Sequence, residues 1–322
     1  MSGPEDQPTA GRPRRLTRAI SIRTTYAVKR RRAGLAEAAF HALNPGPRRT
    51  LLTIPWPPSA LNASRYGHGR PSHTRLRELL AERDERYGEV LTSFETYREA
   101  LAEISVEKGD PHQPHWRNTL LFGLDGISLY CFPRERRPRR YIEVGSGNST
   151  LFVNRARRDG GLDMEITSID PHPRREIDDI CDRVIRKPFE TVGLELFDDL
   201  VAGDIVFFDC SHRVFMNSDV TAFFLDVLPE LPPGILVGLH DIYLPDDYQS
   251  EHYMRWWSEQ YMLAVLLLGE PGWLRPLLPC WYVSSHPRLG DRARALHPPA
   301  HYSHENPHGL IFWAETLPRN RS

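Results

Sequence analysis

Apolar positions change period along this chain. Between Thr74 and Ile104 they recur at helical spacing (Leu76, Leu79, Leu80, Tyr87, Val90, Leu91, Phe94, Tyr97, Leu101, Ile104), with Arg, Glu and Asp between them. Such spacing places one stripe of a helix against a neighbour. It predicts one long amphipathic helix, or two with a break near Gly88, and a cap over a catalytic domain is a reasonable surface for the stripe. A second helical stretch, roughly residues 117–131, leads to the charged boundary "PRERRPRR". Residues 44–73 are interrupted by Pro and Gly too often for regular structure and read as linker or wrapping loop.

Beyond residue 139 short apolar runs alternate with longer amphipathic ones. "RYIEVG", "EITSID", "GDIVFFD" and "GILVGLHD" read as strands, with a third candidate strand opening "VIRKPFET". "STLFVNRARRD", "REIDDICDRV", "DVTAFFLDVLPEL" and "EHYMRWWSEQYMLAVLLL" read as helices. Repeated strand–helix units imply a parallel sheet covered on both faces. "WLRPLLPCWYVSS" and "GLIFWAE" are expected to be extended, with no helical crossover between them, so they should pair antiparallel.

Composition narrows the class. With 322 residues, 40% of them apolar, the chain has room for one large α/β domain and an appendage. The longest apolar run, "MLAVLLL" at 262–268, falls far short of the roughly 20 residues a membrane helix needs, so no membrane span is expected. Cys131, Cys181, Cys210 and Cys280 are scattered without C-x-x-C spacing, which fits neither a disulfide framework nor a zinc cage and points to a cytoplasmic setting. Net charge is −1 but uneven, with eleven Lys and Arg against three acids in the first 50 residues. Such an arm could bind anionic lipid or nucleic acid, or serve as a transit peptide. With only three lysines in the whole chain, arginine is favoured everywhere, and a solvated, poorly ordered tail accounts for the arm. The expected organisation is a basic tail over 1–50, a linker and helical cap over 51–138, and a catalytic domain over 139–318.

The chemistry-bearing residues gather at strand ends. Gly145 and Gly147 in "YIEVGSGNST" allow close backbone approach at the first strand-to-helix turn, and Asp170 closes the second strand 23 residues after Gly147. An acid there can take both hydroxyls of a ribose, so the pair suggests adenosine. Asn148, Ser149 and Thr150 stand where a dinucleotide fingerprint wants another glycine, which favours a nucleoside lacking diphosphate. Glu143 suits a ligand carrying an ammonium and a sulfonium, or else caps the next helix. Glu190 could accept an adenine amino group, or is an exposed loop acid. Asp209 and His212 form a D-x-x-H unit after the fourth strand, and His240 and Asp241 follow the fifth. If those strands are neighbours, their end residues converge, can hold a hard divalent cation, and leave His212 as general base. Four such residues together are harder to explain as helix caps than any one alone. The string "HPPAHYSHENPH" offers His297, His301, His304 and His308, but Pro298, Pro299 and Pro307 make it a polar surface loop.

These segments, together with "ITSIDPHPR", "NSDVTAFFLDVLPELPPG", "LHDIYLPDDY" and "SEQYMLA", resemble a class I S-adenosylmethionine-dependent methyltransferase. Within that superfamily they are similar to the branch that modifies sugars and secondary metabolites. The resemblance covers roughly residues 139–268, and "GLIFWAE" suits the family's final antiparallel strand. It implies a Rossmann-like doubly wound α/β sheet of seven strands in the order 3-2-1-4-5-7-6. S-adenosylmethionine would lie with Glu143, Gly145, Ser146 and Gly147 around its methionine moiety, Asp170 on the ribose and Glu190 near the adenine. In metal-dependent relatives, an acid after strand four and an acidic pair after strand five hold Mg2+, and the D-x-x-H histidine is the base. Asp209, Asp241 and His212 match those positions, while His240 stands where several relatives have an acid. The reaction implied is O-methylation of a small sugar-containing or polyhydroxylated acceptor, with no nucleic acid partner and room for a homo-oligomer. "SRYGHGRPSH" with the long helix would close over the acceptor. Trp256, Trp257 and Tyr261 read as core of their helix rather than as a wall of that site. A nicotinamide-dependent oxidoreductase would use the same sheet, but the third glycine and any Tyr-x-x-x-Lys pair are missing. A non-enzymatic scaffold would leave the strand-end cluster unexplained.

Overall fold

The runs "YIEV", "IVFF" and "LVGL" form the middle of the sheet as β1 (Arg140–Val144), β4 (Ile205–Phe208) and β5 (Leu236–Leu239), each buried along its whole length. Strands apolar on both faces suit a parallel sheet covered by helices on both sides. In the computed structural model, which describes residues 63–297 and 308–319, β2 (Glu165–Ile169), β3 (Arg183–Ile185), β6 (Leu274–Pro279) and β7 (Phe312–Thr316) complete it. The order is β3-β2-β1-β4-β5-β7-β6, as expected. The first five strands run parallel and β7 runs antiparallel to both its neighbours. Because the order reverses between β1 and β4, their carboxyl ends open side by side, where ligands of such sheets bind. The expected basic tail, most of the linker, His301 and His304 lie outside the described residues.

Asp204 ties the start of β4 to that of β1. Its fully buried carboxylate accepts the backbone N–H groups of Arg139 and Arg140 at 2.9 and 2.8 Å and of Val201 at 3.0 Å. The helices before β1 (Thr74–Ala81, Asp84–Phe94, Arg98–Ala102) share one hydrophobic core with the sheet. Rings carry the contact inward, Phe94 to Phe132 at 5.0 Å between centroids and Phe132 to Trp313 at 5.1 Å. Arg83 Nε donates to the carbonyl of Pro276 in β6 at 2.9 Å. The stripe therefore packs toward the β6–β7 edge. The segment reaching the carboxyl ends of the strands is instead "SRYGHGRPSH": Ser64 donates to the Tyr248 carbonyl and Asp247 accepts from the Arg65 N–H.

Several boundaries differ from the sequence reading. Gly88 does not break a helix. It lies inside Asp84–Phe94, where an added Cβ would come within 2.8 Å of the Arg292 guanidinium, and the chain turns at Glu82–Arg83. The second helix runs from Leu124 to Arg136. Asn118 Oδ1 takes the N–H groups of Leu120 and Leu121, holding that stretch in a turn, a local alternative to helix that Asn side chains offer. The expected helix "REIDDICDRV" is a single 3-10 turn, Asp178–Ile180, followed by β3. Sheet pairing overrides local propensity there, because Asp182 accepts the Ile166 N–H and sets β3 beside β2. The long helix after β5 begins only at Glu259, since Trp256 sits at φ 57 and ends a 3-10 segment, Ser250–Arg255. "CWYVSS" is helical rather than extended, and a second helix, Pro287–Ala295, follows. The last two strands nevertheless pair antiparallel.

Candidate active site

At the end of β1, Gly145 adopts φ 81, in the region that favours glycine. Its Cβ position lies 1.6 Å from the Asp209 carbonyl oxygen, so any side chain would drive β1 and β4 apart. Gly147 is extended and a Cβ there meets only ordinary contacts with Arg174 and Arg175. The Ser146 N–H donates to Asp170 Oδ2 at 3.0 Å, and the His172 N–H to Asp170 Oδ1 at 2.7 Å. The turn and the second-strand acid are thus joined directly. They share a cavity of about 330 Å3, with Phe189, Glu190, Asp209 and Asp219 on its far wall. Glu143 lies underneath it, fully buried. The Thr150 hydroxyl bridges it to the turn, donating to Glu143 Oε2 and accepting the Gly147 N–H. Burial pushes the Glu143 carboxyl up to about 7, against the hydroxyls of Ser149, Thr150 and Tyr141. It supports the turn from below rather than lining the cavity.

The pairing of Phe208 with Leu239 sets the next residues of β4 and β5 beside one another. Asp209 Oδ1 lies 3.2 Å from His212 Nε2 and 3.3 Å from His240 Nδ1, and Asp241 Oδ2 lies 3.2 Å from the same His212 nitrogen. Ligand atoms of Asp209, His240 and Asp241 all fall within 4.8 Å of one another. His212 and Asp241 both sit in the left-handed region, at φ 58 and 57. For a residue other than glycine that costs about 1–2 kcal/mol, and it turns both side chains back toward the strand ends.

Two residues at this site were not singled out in the sequence. Glu259, fully buried at the first turn of its helix, stands 2.8 Å from His212 Nδ1. The one signal was an acid beside Ser258 opening an otherwise apolar helix. Asp125 is fully buried behind His240, 3.6 Å from its Nε2, and also accepts the N–H groups of Leu310 and Ile311. It stands 115 residues before His240 in the chain, and no local pattern marks it.

Electrostatics bind the cluster together. Burial alone would lower His212, yet hydrogen bonding to Asp209 and the charges of Asp241 and Glu259 push it up to about 10. His240 is likewise held well above its usual value by Asp209 and Asp241, against burial. Burial opposes charge on Asp209, but the His240 charge and the His212 hydrogen bond outweigh it and keep its carboxyl well below the usual range. Glu259 rises to about 6, burial exceeding the pull of His212. With both imidazoles neutral, the carboxylates of Asp209, Asp241, Glu259 and Asp125 would crowd the pocket with no positive partner at the histidines. Protonated histidines or a bound divalent cation relieve that condition.

Trp256, Trp257 and Tyr261, expected in a helix core, instead line a second cavity of about 290 Å3. Trp257 packs edge-on against His212 at 4.9 Å. His297 and His308, the described members of the histidine-rich string, pack on Trp116 and Trp281.

Residues 142–242 match the family model described as a methyltransferase domain. That match spans under a third of the chain, and the sheet order is the one expected from sequence for a class I S-adenosylmethionine-dependent methyltransferase. No curated protein matches the sequence significantly. Among solved structures the chain is similar to an SAH-bound methyltransferase of Podospora anserina, at 16% identity and a TM-score of 0.41, over 68% of this chain and 93% of that one. It is also similar to an O-methyltransferase from Bacillus cereus in complex with SAH, at 13% identity and a TM-score of 0.38, over 70% and 99%. A third similarity is to the plantazolicin methyltransferase BpumL in complex with SAH, at 10% identity and a TM-score of 0.36, over 76% and 100%. Among the described residues no helix is long and apolar enough to cross a membrane.

Proposed function

We propose that this enzyme transfers the methyl group of S-adenosylmethionine to a hydroxyl of a small, sugar-containing or otherwise polyhydroxylated acceptor, with His212 as general base. The observation that carries the reading is the convergence of Asp209, His212, His240 and Asp241 beside the cavity that holds the Gly145–Gly147 turn and Asp170. In that cavity Asp170 would take the ribose hydroxyls, Glu190 the adenine amino group, and the turn above Glu143 the methionine part. The sulfonium methyl would then face Asp209 and the strand-end cluster.

Transfer is an in-line displacement. The acceptor oxygen forms the new bond to carbon as the carbon–sulfur bond breaks, the sulfur keeps that electron pair, and the hydroxyl proton passes to His212 Nε2. Most of the barrier is lowered by holding oxygen, methyl and sulfur in line at near-attack distance. An ionised Glu259 only accepts, so it keeps a proton on His212 Nδ1 and makes Nε2, which lies 3.2 Å from Asp209 and Asp241, the nitrogen that would exchange a proton with the acceptor.

The donor set fits a divalent cation. Two carboxylates and an imidazole lie within reach of a single ion, and neither buried His240 nitrogen has a well-aligned hydrogen bond. Asp209, His240 and Asp241 would hold it, and the imidazole suits Mn2+ or Fe2+ as well as the Mg2+ expected from sequence. Bound there, the ion would lower the pKa of the acceptor hydroxyl and offset the acids that keep His212 charged.

Metabolite extracts incubated with the full chain and S-adenosylmethionine should yield a product heavier by one methylene unit by mass spectrometry. His212→Ala should lose that product while cofactor affinity stays nearly intact. A His212→Ala variant that turns over normally would remove the base from this scheme.

A further inference from the structure

We propose that the second cavity takes a flat aromatic group carried by the methyl acceptor, leaving the acceptor hydroxyl beside His212; this rests on the methyl-transfer reading above. The cavity, about 290 Å3, is walled by Phe215, Tyr248, Trp256, Trp257 and Tyr261, with Asp247 at its edge. Its position follows from how the base is built. Phe215 stands three residues after His212, and the His212 carbonyl accepts the Ser258 N–H at 2.7 Å. The Val214 N–H donates to Ser258 Oγ at 2.9 Å. The loop bearing the base and the wall bearing Trp257 are thus one stitched unit, and Trp257 touches the imidazole itself.

The chemistry of the wall selects the guest. Phe215 and Tyr261 each expose 46% of their surface, a large aromatic area to leave in water, and ring stacking would cover it. Several polar groups at the cavity are already engaged, while Gln249, Ser250 and His252, whose buried Nδ1 has no hydrogen-bond partner, also line it. Both Asp247 oxygens are taken, by the Arg65 and Tyr248 N–H groups and the Tyr261 hydroxyl. The Ser64 hydroxyl donates to the Tyr248 carbonyl, and Ser258 Oγ accepts from Val214. A bare sugar ring could reach Gln249, Ser250 and His252 but would cover the aromatic wall less completely than a flat ring. An organic cation has less to gain on Trp257, because Arg255 already lies over that ring at 4.8 Å. A neutral planar ring stacks on the exposed Phe215 and Tyr261 faces without a charged partner.

The test uses the full chain saturated with SAH and titrated, by ligand-observed NMR, with 2-naphthol, methyl α-glucopyranoside and tetramethylammonium. We expect 2-naphthol to bind and the other two not to. Phe215→Ala and Tyr261→Ala should each weaken 2-naphthol about three- to tenfold, leaving SAH affinity and Tm unchanged. Phe215 is half exposed and makes no side-chain hydrogen bond, so its variant reports on the cavity even if Tyr261→Ala disturbs Asp247. The proposal is overturned if 2-naphthol does not bind, binds both variants as well as wild type, or is outcompeted there by the sugar or the ammonium. Failure of the methyl-transfer reading would appear separately, as wild-type protein that does not bind SAH. The same titration run without SAH then still decides what the cavity accepts.

Discussion

Glu259 gives the sharpest test of the catalytic reading, because its side chain is fully buried and touches the proposed base without lining either cavity. Glu259→Gln keeps the shape and leaves an amide oxygen able to accept from His212 Nδ1, but removes the charge. Glu259→Ala removes the partner as well. A hydrogen bond to a charged group contributes about 1.5–3 kcal/mol, and each 1.36 kcal/mol is tenfold in rate. We therefore expect kcat to fall about tenfold in Glu259→Gln and about a hundredfold in Glu259→Ala, with KM for S-adenosylmethionine little changed. The assay is steady-state methyl transfer to an acceptor found by the metabolite screen, with Tm measured alongside. A Glu259→Gln enzyme with wild-type kcat across the pH range would refute the orienting role. So would losses that track Tm rather than kcat, since they would make Glu259 a purely structural group.

Three further outcomes are expected. Gly145→Ala places a Cβ against the Asp209 carbonyl in a left-handed turn, so Tm should drop and SAH binding weaken together, whereas Gly147→Ala should be tolerated by the fold; equal Tm for the two would contradict this. Glu143 is held protonated up to about 7 when folded, against 4.5 for an ordinary glutamate, so the folded state binds its proton more tightly across that window. Wild-type stability should then decline by about 3 kcal/mol more than that of Glu143→Gln as pH rises from 4.5 to 7, read from denaturant unfolding without ligand. Finally, chelator-treated enzyme should gain activity only toward high pH, as His212 loses its proton near 10, and added Mn2+ or Mg2+ should move that rise to lower pH; identical profiles with and without metal would exclude Asp209, His240 and Asp241 as ligands.

Strand identity was legible because "YIEV", "IVFF" and "LVGL" are too short and too apolar for anything but covered parallel strands. Asp209, His212, His240 and Asp241 could be named because each follows such a run by one to four positions, and a parallel sheet aligns those ends. Helix limits were less legible. Asn118, Asp182 and Trp256 each end or prevent a helix through a partner or a backbone angle that spacing does not encode.

Local patterning thus determined the order of elements, the turn at Gly145 and the strand-end acids, since burial on two faces and the needs of a tight turn are written in neighbouring residues. Only the tertiary structure decided that Glu259 and Asp125 stand behind the two histidines, that Glu143 supports the turn instead of lining it, and that the tryptophans face a cavity. The contacts of Glu259, Asp125 and the tryptophans join residues tens to more than a hundred positions apart, and those of Glu143 depend on how the turn folds over it. Which buried acid meets which imidazole is fixed by how the helices pack against the sheet, and no run of sequence carries that information.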